Sequence, residues 1–514
     1  MIGPQIWSVV SYLIIFLLAD ANAANILGIF PIGAKSHFGF DKSIMKSLHA
    51  AGHEITIICP FEETEPVVNF TIISMSFESI ESTTQGSIED FVKLPLFSYI
   101  KIAMAIMQQY CDNFLTSKYL HDILNSPKSK FDVLIIEYLP LHHCFTIIAE
   151  KFDIPIIMTC PIQAAHYIDP LFGNPSHPAA IPVGFSYIPQ HMNFLQRLEN
   201  AAYYIYMELM LANMISSKVD SIKQRIRDDF GIVSRKTFSL VFQNSHSSLF
   251  ARPLVQNVIE IGGIHLEPNK TLPQNIQKFI DESSAGVILF TFGSMSRGSF
   301  LSSEVVSAFK DVFSQIPQRV IWKYEKTIED LPKNVMISDW LPQRDILAHK
   351  NVVAFITHCG QGGIYEAIYE SVPLVMIPFF GDQLPNAADL KEKGVGVVLD
   401  PLNLSIEEIR NALDLVVNDT SYRKNMQKLS QRFKDRPMTP QESVVYWTEY
   451  VISHQGALHL RSYFADMPTY QYFLLDILSV VTLALLLLYT FIRLFIKLCF
   501  YKIEQRHERK NKKN

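Results

Sequence analysis

In the first half of the chain, short apolar runs alternate with stretches in which apolar residues recur at helical spacing. This alternation predicts the strands and helices of that half. Asn25–Pro31 and Glu54–Cys59 are predicted strands, and Lys42–Ala51 between them has apolar residues at helical spacing, after a glycine-containing loop. A strand, a helix and a second strand at this spacing predict a βαβ unit and therefore a parallel sheet. Phe131–Ile136 and Ile154–Met158 are further apolar runs of strand length.

The same pattern restarts in the second half, where helix-like stretches separate five strand-like runs: Val287–Phe292, Val320–Tyr324, Val352–Thr357, Pro373–Pro378 and Val395–Leu399. Two successive alternating regions predict an α/β protein with two doubly wound domains rather than one barrel. Ligands of open α/β sheets bind beyond the carboxyl ends of the strands, so the residues just after each run are the candidates for function. The predicted domains are 24–245 and 246–435, followed by a helical return and linker over 436–470.

The amino-terminal end predicts a signal peptide. Ile6–Ala19 is an uncharged, mostly apolar run, and Ala21–Ala23 follows it as an A-x-A cleavage pattern. The run is short for a membrane span and has the length of a secretory signal core. We therefore predict cleavage of residues 1–23, with a buried first strand or an uncleaved anchor as the alternatives.

The carboxyl-terminal end predicts one membrane span over 471–496. Ile477–Ile492 is uncharged, and the residues that precede it extend the run to about the 20 residues that a bilayer requires. A buried core helix is the alternative, and it is disfavoured because no later segment is available to cover it. The tail 497–514 is basic, with a net charge of +4 from Lys502 onwards, which favours a cytosolic tail.

The last five residues place Lys510 and Lys512 in a pattern similar to the signals that return membrane proteins to the endoplasmic reticulum. We therefore expect a single-pass type I protein of that membrane, with the region before the span in the lumen. In that compartment four asparagines become candidate glycosylation sites, namely Asn69, Asn269, Asn403 and Asn418.

Composition excludes several classes of protein. The chain has 514 residues, of which 48% are hydrophobic and 18% charged, a balance that argues against disorder. The net charge of −5 is too mild for a nucleic-acid footprint, so no nucleic-acid partner is expected. Six cysteines without a CxxC pairing indicate neither a disulfide scaffold nor a structural zinc site.

The candidate chemistry follows the strand Val352–Thr357. His358 and a glycine-rich turn with Gly360, Gly362 and Gly363 come directly after this strand and open a predicted helix. Backbone N–H groups in such a turn suit an anion, typically a phosphate. Glu366 lies one turn inside the helix and suits sugar hydroxyls. The remaining candidates stand just before this strand or after the next one: Trp340, Gln343, Asp382 and Gln383.

The order and spacing of these residues resemble the donor signature of the membrane-bound animal UDP-glycosyltransferases. From Trp340, the other signature residues follow at distances of 3, 18, 26, 42 and 43 residues: Gln343, His358, Glu366, Asp382 and Gln383. The segments Asn257–His265 and Gly286–Met295 are also similar to this family. Gly173–Pro182 and Arg436–Tyr450 look most like its insect members.

The resemblance implies a GT-B fold, in which two Rossmann-like domains face a cleft, and a UDP-sugar bound to the second domain. It implies that Trp340 stacks on uracil, that Gln343 and Glu366 contact the ribose, and that Asp382 and Gln383 bind the transferred sugar. The diphosphate would meet a set of side chains and amides, namely Ser294, Thr357, His358, Gly360, Gly362 and Gly363. The family requires no metal and no cofactor, so neither is expected.

The resemblance also places the base in the first domain. His37 matches the catalytic base of the family, and Glu137, at the end of a predicted strand, takes the place of an aspartate in vertebrate members. A neutral imidazole accepts a hydroxyl proton at neutral pH, and a carboxylate fixes its tautomer. The expected reaction is an inverting transfer that yields a β-glycoside.

Three departures and several open points remain. Family members often carry Asn at position 362 and a larger residue at 363, whereas glucuronate-using relatives often carry Arg where this chain has Gln243. We therefore expect UDP-glucose as donor and a small lipophilic acceptor. The alternatives are glucuronosyl transfer, a glycan- or lipid-modifying transferase, and an inactive binding protein. Cysteine pairing and oligomeric state stay open, with a homo-oligomer among the candidate states.

Overall fold

The computed structural model describes residues 23–62, 66–75, 92–94, 96–127, 130–137, 142–162, 168–184, 186–214, 218–232, 238–294, 298 and 301–511. The predicted signal core Ile6–Ala19 lies outside these residues. Within the described part, the chain divides into a large unit that ends at Arg461 and a second unit from Ser462.

The first domain of the large unit is built on a seven-stranded parallel sheet with the order β3-β2-β1-β4-β5-β6-β7. Its strands are β1 Asn25–Ile29, β2 Glu54–Cys59, β3 Phe70–Ser74, β4 Val133–Glu137, β5 Ile156–Cys160, β6 Phe238–Gln243 and β7 Val258–Glu260. Its helices are α1 Lys35–Ala50, α2 Leu96–Leu115, α3 Lys118–Leu124, α4 Thr146–Phe152, α5 Asp169–Phe172, α6 Phe194–Met214 and α7 Lys218–Phe230, with a 3-10 turn at His142–Phe145. The last strand shows that this sheet continues past residue 245.

The second domain has a six-stranded parallel sheet with the order β10-β9-β8-β11-β12-β13. Its strands are β8 Val287–Thr291, β9 Arg319–Lys323, β10 Val335–Ser338, β11 Val352–Thr357, β12 Leu374–Met376 and β13 Gly396–Val398. Its helices are α8 Gln274–Asp281, α9 Ser303–Phe313, α10 Gln343–Leu347, α11 Gln361–Glu370, α12 Gln383–Glu392, α13 Ile406–Asn418 and α14 Thr420–Lys434. Buried apolar residues cover both faces of this sheet.

Both sheets reverse their strand order next to the first strand of the domain. In the first sheet β1 lies between β2 and β4, and in the second sheet β8 lies between β9 and β11. Such a reversal leaves a crevice at the carboxyl ends of the two strands that flank it, and doubly wound proteins bind their ligands there. The residues that follow β1, β4, β8 and β11 are therefore the ones that line the crevices.

The helix after β1 begins earlier than the sequence pattern predicts. The sequence predicts a glycine-containing loop before Lys42. This prediction is wrong over most of the length of the loop, because α1 starts at Lys35. The helix buries Phe40, Ile44 and Leu48, which lie at intervals of four residues, against the sheet. This buried stripe stabilises the helix through Gly39, a residue whose intrinsic helix propensity is low.

After α14 the chain returns to the first domain. Helix α15, Pro440–Ser453, begins with a capping box in which Thr439 and Glu442 each hydrogen-bond the backbone of the other. Val444 and Val451 of this helix lie in the same apolar core as β1 and α1. The first domain is therefore completed by residues that follow the second domain in sequence.

A disulfide joins α2 to the 3-10 turn that follows β4. Cys111 and Cys144 form this bond, a pairing that the sequence leaves open. Among the described residues the other cysteines form no disulfide bond, and Cys59, Cys160 and Cys359 are buried. The bond holds α2 against the 3-10 turn His142–Phe145.

The second unit contains one long apolar helix. Two 3-10 turns, Leu458–Leu460 and Tyr463–Asp466, and the short helix α16, Thr469–Tyr472, precede α17, Leu475–Asn511. Within α17, Leu475–Gln505 is long and apolar enough to cross a membrane. The helix begins at Leu475 rather than at 471 because Leu474 has a positive φ of 54°, which breaks helical continuity.

Candidate active site

The turn between β11 and α11 contains one residue in a strained conformation. Cys359 has a φ of 67°, which is rare for a residue with a side chain. Its N–H donates to Thr357 Oγ1 at 3.2 Å, and its carbonyl accepts from Asn386 Nδ2 at 3.0 Å. These bonds stabilise a conformation that costs about 1–3 kcal/mol by itself. Thr357, which is predicted to contact a diphosphate, is fully buried, and its hydroxyl also holds this turn.

The first turn of α11 contains backbone amides that make no hydrogen bond within the helix. Gly360 is the N-cap residue, and the N–H groups of Gly362 and Gly363 belong to the turn in which a helix supplies no acceptor. Near this turn, Ser294 Oγ and His358 Nδ1 are buried without a hydrogen-bond partner among the described residues. Amide and hydroxyl donors that converge at a helix N-terminus suit a phosphate.

The ring of His358 is packed between two glycines. A Cβ at Gly293 would lie 2.6 Å from the ring, and a Cβ at Gly360 would lie 2.5 Å from it. Burial, together with the nearby Lys323, lowers the pKa of His358 to about 3, so the ring is neutral at physiological pH. Lys323 Nζ donates to the Gly293 carbonyl at 2.8 Å and to Glu325 Oε1 at 2.9 Å, so Glu325 balances part of its charge.

An exposed indole and a partly buried carboxyl group flank this turn. Trp340 is 62% exposed at the surface of the cleft. Gln343 Nε2 donates to Glu366 Oε2 at 2.6 Å. Burial raises the pKa of Glu366 to about 7, although the bond from Gln343 and the charge of Arg344 favour its ionised form. A Cβ at Gly363 would lie 3.2 Å from Gln343 Nε2, so glycine at this position leaves space for the pair.

Asp382 and Gln383 stand at the start of α12, below the same turn. The Asp382 carboxylate accepts hydrogen bonds from the backbone N–H of Gln361 and from Asn386 Nδ2, the latter at 3.1 Å. Gln383 Oε1 accepts from the N–H of Phe379 at 2.8 Å, so its carbonyl oxygen is engaged within its own loop. Only the side-chain nitrogen of Gln383 remains available to a ligand.

The first domain contributes an imidazole and a carboxylate. His37, in the first turn of α1, lies with Nδ1 2.6 Å from Glu137 Oε1 at the carboxyl end of β4. The side chain of Glu137 is 1% exposed, whereas that of His37 is 21% exposed. Burial disfavours the charged imidazole and is the largest influence, but Glu137 and then Asp382 raise the pKa of His37 above its ordinary value.

The structure thus brings most of the predicted site residues together. His37 and Asp382 influence each other electrostatically across the cleft, each favouring the charged form of the other. Asp382 in turn accepts a hydrogen bond from Gln361, the first residue of α11. At the same turn Gly360 lies next to the ring of His358, and Gly363 lies next to Gln343. The hydroxyl of Thr357 and the side-chain oxygen of Gln383 each accept a backbone N–H within the loops of the site.

Three residues at the site were not predicted from the sequence. Lys323 lies at the carboxyl end of β9, so the rule that ligands bind beyond strand ends could have indicated it. Asn386 follows Asp382 by one helical turn and braces it. Lys35 precedes His37, and its Nζ lies 5.3 Å from the centroid of the Trp340 ring. Nothing in the sequence pattern indicates this contact between domains.

No metal centre accompanies these residues in the described part of the chain. No group of three His, Cys, Asp or Glu side chains there is arranged to hold a metal ion. His142 and His143, adjacent after β4, begin a 3-10 turn, and their side chains lie outside what the structure describes.

Two doubly wound parallel-sheet domains, one with a glycine-rich helix start and the other with a histidine–carboxylate pair, have the architecture of the GT-B fold. Solved structures agree with this fold. Spinosyn forosaminyltransferase SpnP matches with a TM-score of 0.56 and 16% identity over 84% of this chain and 99% of its own. The calicheamicin glycosyltransferase CalG4 matches with a TM-score of 0.54 and 18% identity over 84% and 98%.

Sequence comparison identifies the family. The model described as UDP-glucoronosyl and UDP-glucosyl transferase matches residues 29–513. UDP-glucosyltransferase 2 of Dactylopius coccus is 38% identical over 471 residues, which cover 90% of each chain. UDP-glucuronosyltransferase 2C1 of Oryctolagus cuniculus is 32% identical over 86% of this chain and 92% of its own. The chain belongs to this family and is a UDP-glycosyltransferase, which confirms the class of enzyme predicted from the signature.

Proposed function

We propose that the enzyme transfers glucose from UDP-glucose to a small lipophilic acceptor with inversion, producing a β-glycoside. The proposal depends on the His37–Glu137 pair. His37 is close enough to Asp382 of the second domain for the two groups to interact electrostatically. An inverting displacement requires a base on one side of the sugar and a group that binds the leaving diphosphate on the other side. The proposed base lies in the first domain and the proposed anion site in the second.

In the proposed mechanism, His37 Nδ1–H donates to Glu137, which leaves Nε2 as the nitrogen that accepts a proton. Nε2 removes the acceptor proton, and the acceptor oxygen forms a bond to the anomeric carbon. The bond from that carbon to the UDP oxygen breaks, and its electron pair leaves with UDP. Attack opposite UDP converts the α-linked donor into a β-glycoside, and Glu137 stabilises the imidazolium that forms.

Donor binding is assigned to residues of the second domain. Trp340 stacks on uracil, the Gln343–Glu366 pair accepts from and donates to the ribose hydroxyls, and Asp382 with Gln383 Nε2 contacts glucose. The diphosphate takes the amides of Gly362 and Gly363 at the start of α11 and the nearby side chains of Ser294 and His358, while Thr357 and Gly360 shape the turn. Together with Lys323, these groups offset the charge that develops on UDP, without a metal or cofactor.

Lys35 gives a first test of the uracil site. Because its ammonium lies over the indole on which uracil is expected to stack, Lys35→Ala should lower the Kd of UDP by about two- to fivefold, the value of one exposed cation–π contact. Isothermal titration calorimetry measures this, with Lys42→Ala, on the same helix but over Phe38, as the matched control. Weaker UDP binding in Lys35→Ala would show instead that the ammonium contacts the nucleotide.

Glucose is favoured over glucuronate because of Gln243. This side chain is 1% exposed at the carboxyl end of β6, and neither atom of its amide has a partner among the described residues. A neutral amide offers a sugar carboxylate less than the arginine of glucuronate-using relatives. The 38% identity to an enzyme named as a glucosyltransferase supports the same choice.

The donor preference is testable by competition. With equal concentrations of both donors and one small phenol as acceptor, we expect the glucoside to exceed the glucuronide by at least about tenfold, the effect of roughly one charge-assisted bond. Mass spectrometry of the products measures the ratio. A larger yield of glucuronide would overturn the assignment to UDP-glucose.

The lumen of the endoplasmic reticulum is the proposed location of the catalytic part. The Cys111–Cys144 disulfide fits an oxidising compartment, and the four candidate glycosylation asparagines are exposed. The apolar helix from Leu475 and the basic tail after it fit one span with a cytosolic end. In sealed microsomes, added protease should remove only the tail; digestion of the catalytic part would contradict this orientation.

The acceptor class requires a direct screen. Small phenols and steroids are offered with UDP-glucose in microsomes, and products are identified by mass. Conjugates of these compounds would support a detoxifying role. UDP release only with glycoprotein or ceramide would favour the glycan- or lipid-modifying alternative.

A further inference from the structure

A buried carboxyl group lies one helical turn after His37 and has no part in the mechanism described above. Asp41 is on α1 and is 0% exposed. Its Oδ1 accepts a hydrogen bond from Thr159 Oγ1 at 2.6 Å. Thr159 is on β5, directly opposite Glu137 in the parallel ladder of β4 and β5. Asp41 therefore connects the turn that carries His37 to the strand next to the one that carries Glu137.

The surroundings of Asp41 favour a carboxylic acid rather than a carboxylate. Its second oxygen, Oδ2, is buried and has no hydrogen-bond partner among the described residues. An ionised carboxylate in this position would be costly, because a buried charge requires a partner of opposite charge or several donors. Burial and then Glu137 raise the pKa of Asp41 well above its usual range, whereas the bond from Thr159 opposes them only in part.

Two further titratable groups, Cys160 and Tyr110, interact electrostatically with this cluster. Cys160 is the next residue of β5 after Thr159, and burial raises the pKa of its thiol, with smaller contributions from Glu137, Asp169 and Asp41. Tyr110 of α2 faces Glu137, and burial with the charge of Glu137 raises the pKa of its phenol to about 12. Both groups are therefore neutral at physiological pH. Two neighbouring buried carboxyl groups keep one proton between them, because both cannot ionise.

We propose that Asp41 is a positioning residue for the catalytic base: a neutral acid that, through Thr159, holds the first turns of α1 against β4 and β5. The inference rests on the proposed role of His37 as base. As a neutral group, Asp41 anchors the helix without adding a second negative charge beside Glu137. A second negative charge there would stabilise the imidazolium of His37 further. A higher pH would then be needed to obtain the neutral imidazole that acts as the base.

The test compares three variants by steady-state kinetics. Asp41→Ala removes the anchor, so we expect kcat to fall about tenfold from misplacement of His37, with KM for UDP-glucose within about twofold. Asp41→Asn keeps a neutral side chain with an oxygen that accepts from Thr159, so it should restore kcat to within about threefold of the wild type. Thr159→Val, which has nearly the same volume, should resemble Asp41→Ala.

The pH profile separates this proposal from a merely structural role. The acid limb of kcat/KM reports protonation of His37, and Asp41→Asn should leave it unshifted because one neutral group replaces another. A limb displaced to lower pH would show that Asp41 is ionised in the wild type and would overturn the proposal. Wild-type kcat in both Asp41→Ala and Thr159→Val would also overturn it.

Folding and the proposed function are controlled in the same experiment. UDP binding by calorimetry reports a folded donor site, and if Asp41→Ala fails to bind UDP, Thr159→Val carries the test. His37→Ala is assayed beside these variants. Full turnover in His37→Ala would refute the base itself, whereas its loss with unaffected Asp41 variants would refute only the role of Asp41.

Discussion

Replacing His37 by Ala is expected to lower turnover by about 10²- to 10⁴-fold, the range by which a general base accelerates proton transfer. The Kd of UDP should stay unchanged, because the donors assigned to the nucleotide all lie in the second domain. The imidazole is the group that joins a buried carboxylate, Glu137, to the open cleft. Turnover is measured as UDP release with UDP-glucose and a phenol, and UDP binding by calorimetry.

His49→Ala, at the other end of the same helix, is the matched control and should keep its activity. The wild-type pH profile adds a second check. Glu137 and Asp382 raise the pKa of His37, and only its neutral form accepts a proton, so kcat/KM should fall as the pH drops through this raised value. Normal turnover in His37→Ala would refute the assignment of the base.

The second large effect is expected at Glu366. A carboxylate that accepts from two ribose hydroxyls contributes about 1.5–3 kcal/mol per bond, so Glu366→Ala should raise the Kd of UDP by about 100-fold or more. The pKa of about 7 adds a pH dependence. Because the ribose hydroxyls donate to the ionised form, UDP affinity of the wild type should decline as the pH falls from about 8 to about 6.

Calorimetric titration of UDP at several pH values measures both effects. Glu366→Gln should bind weakly and without this pH dependence, because its amide does not titrate. Glu407→Gln, an exposed glutamate of the same domain, serves as the control and should match the wild type. Tight, pH-independent binding in Glu366→Gln would remove this residue from the ribose site.

Most of the fold was predictable because strands of a parallel sheet are nearly continuous apolar runs. Val352–Thr357 has the bounds predicted for it, and the carboxyl end of β4 is at Glu137. The start of α1 was not predictable, because Gly33 and Gly39 suggest a loop and only tertiary burial of Phe40 and Ile44 stabilises the helix there. Short strands such as Val258–Glu260 exist through pairing with a neighbour, not through their own pattern.

The candidate site, like the fold, could be predicted from the sequence only in part. Spacing and chemistry indicated which residue types face the cleft, and the structure gathers His37, Glu137 and the donor signature there. What spacing cannot show is how each hydrogen-bonding atom is used. The hydroxyl of Thr357 and the oxygen of Gln383 already accept backbone N–H groups, and Lys35 reaches Trp340 only because two domains meet.

The return of the chain to its first domain has a consequence for biosynthesis. Val444, Val451 and Ala457 belong to the same core as Ile26 and Ile44, yet they are made after the whole donor domain. During translation the first domain therefore keeps part of its apolar interior uncovered while the second domain folds ahead of it. A ribosome that stalls before these residues leaves a nascent chain whose first domain lacks part of its core.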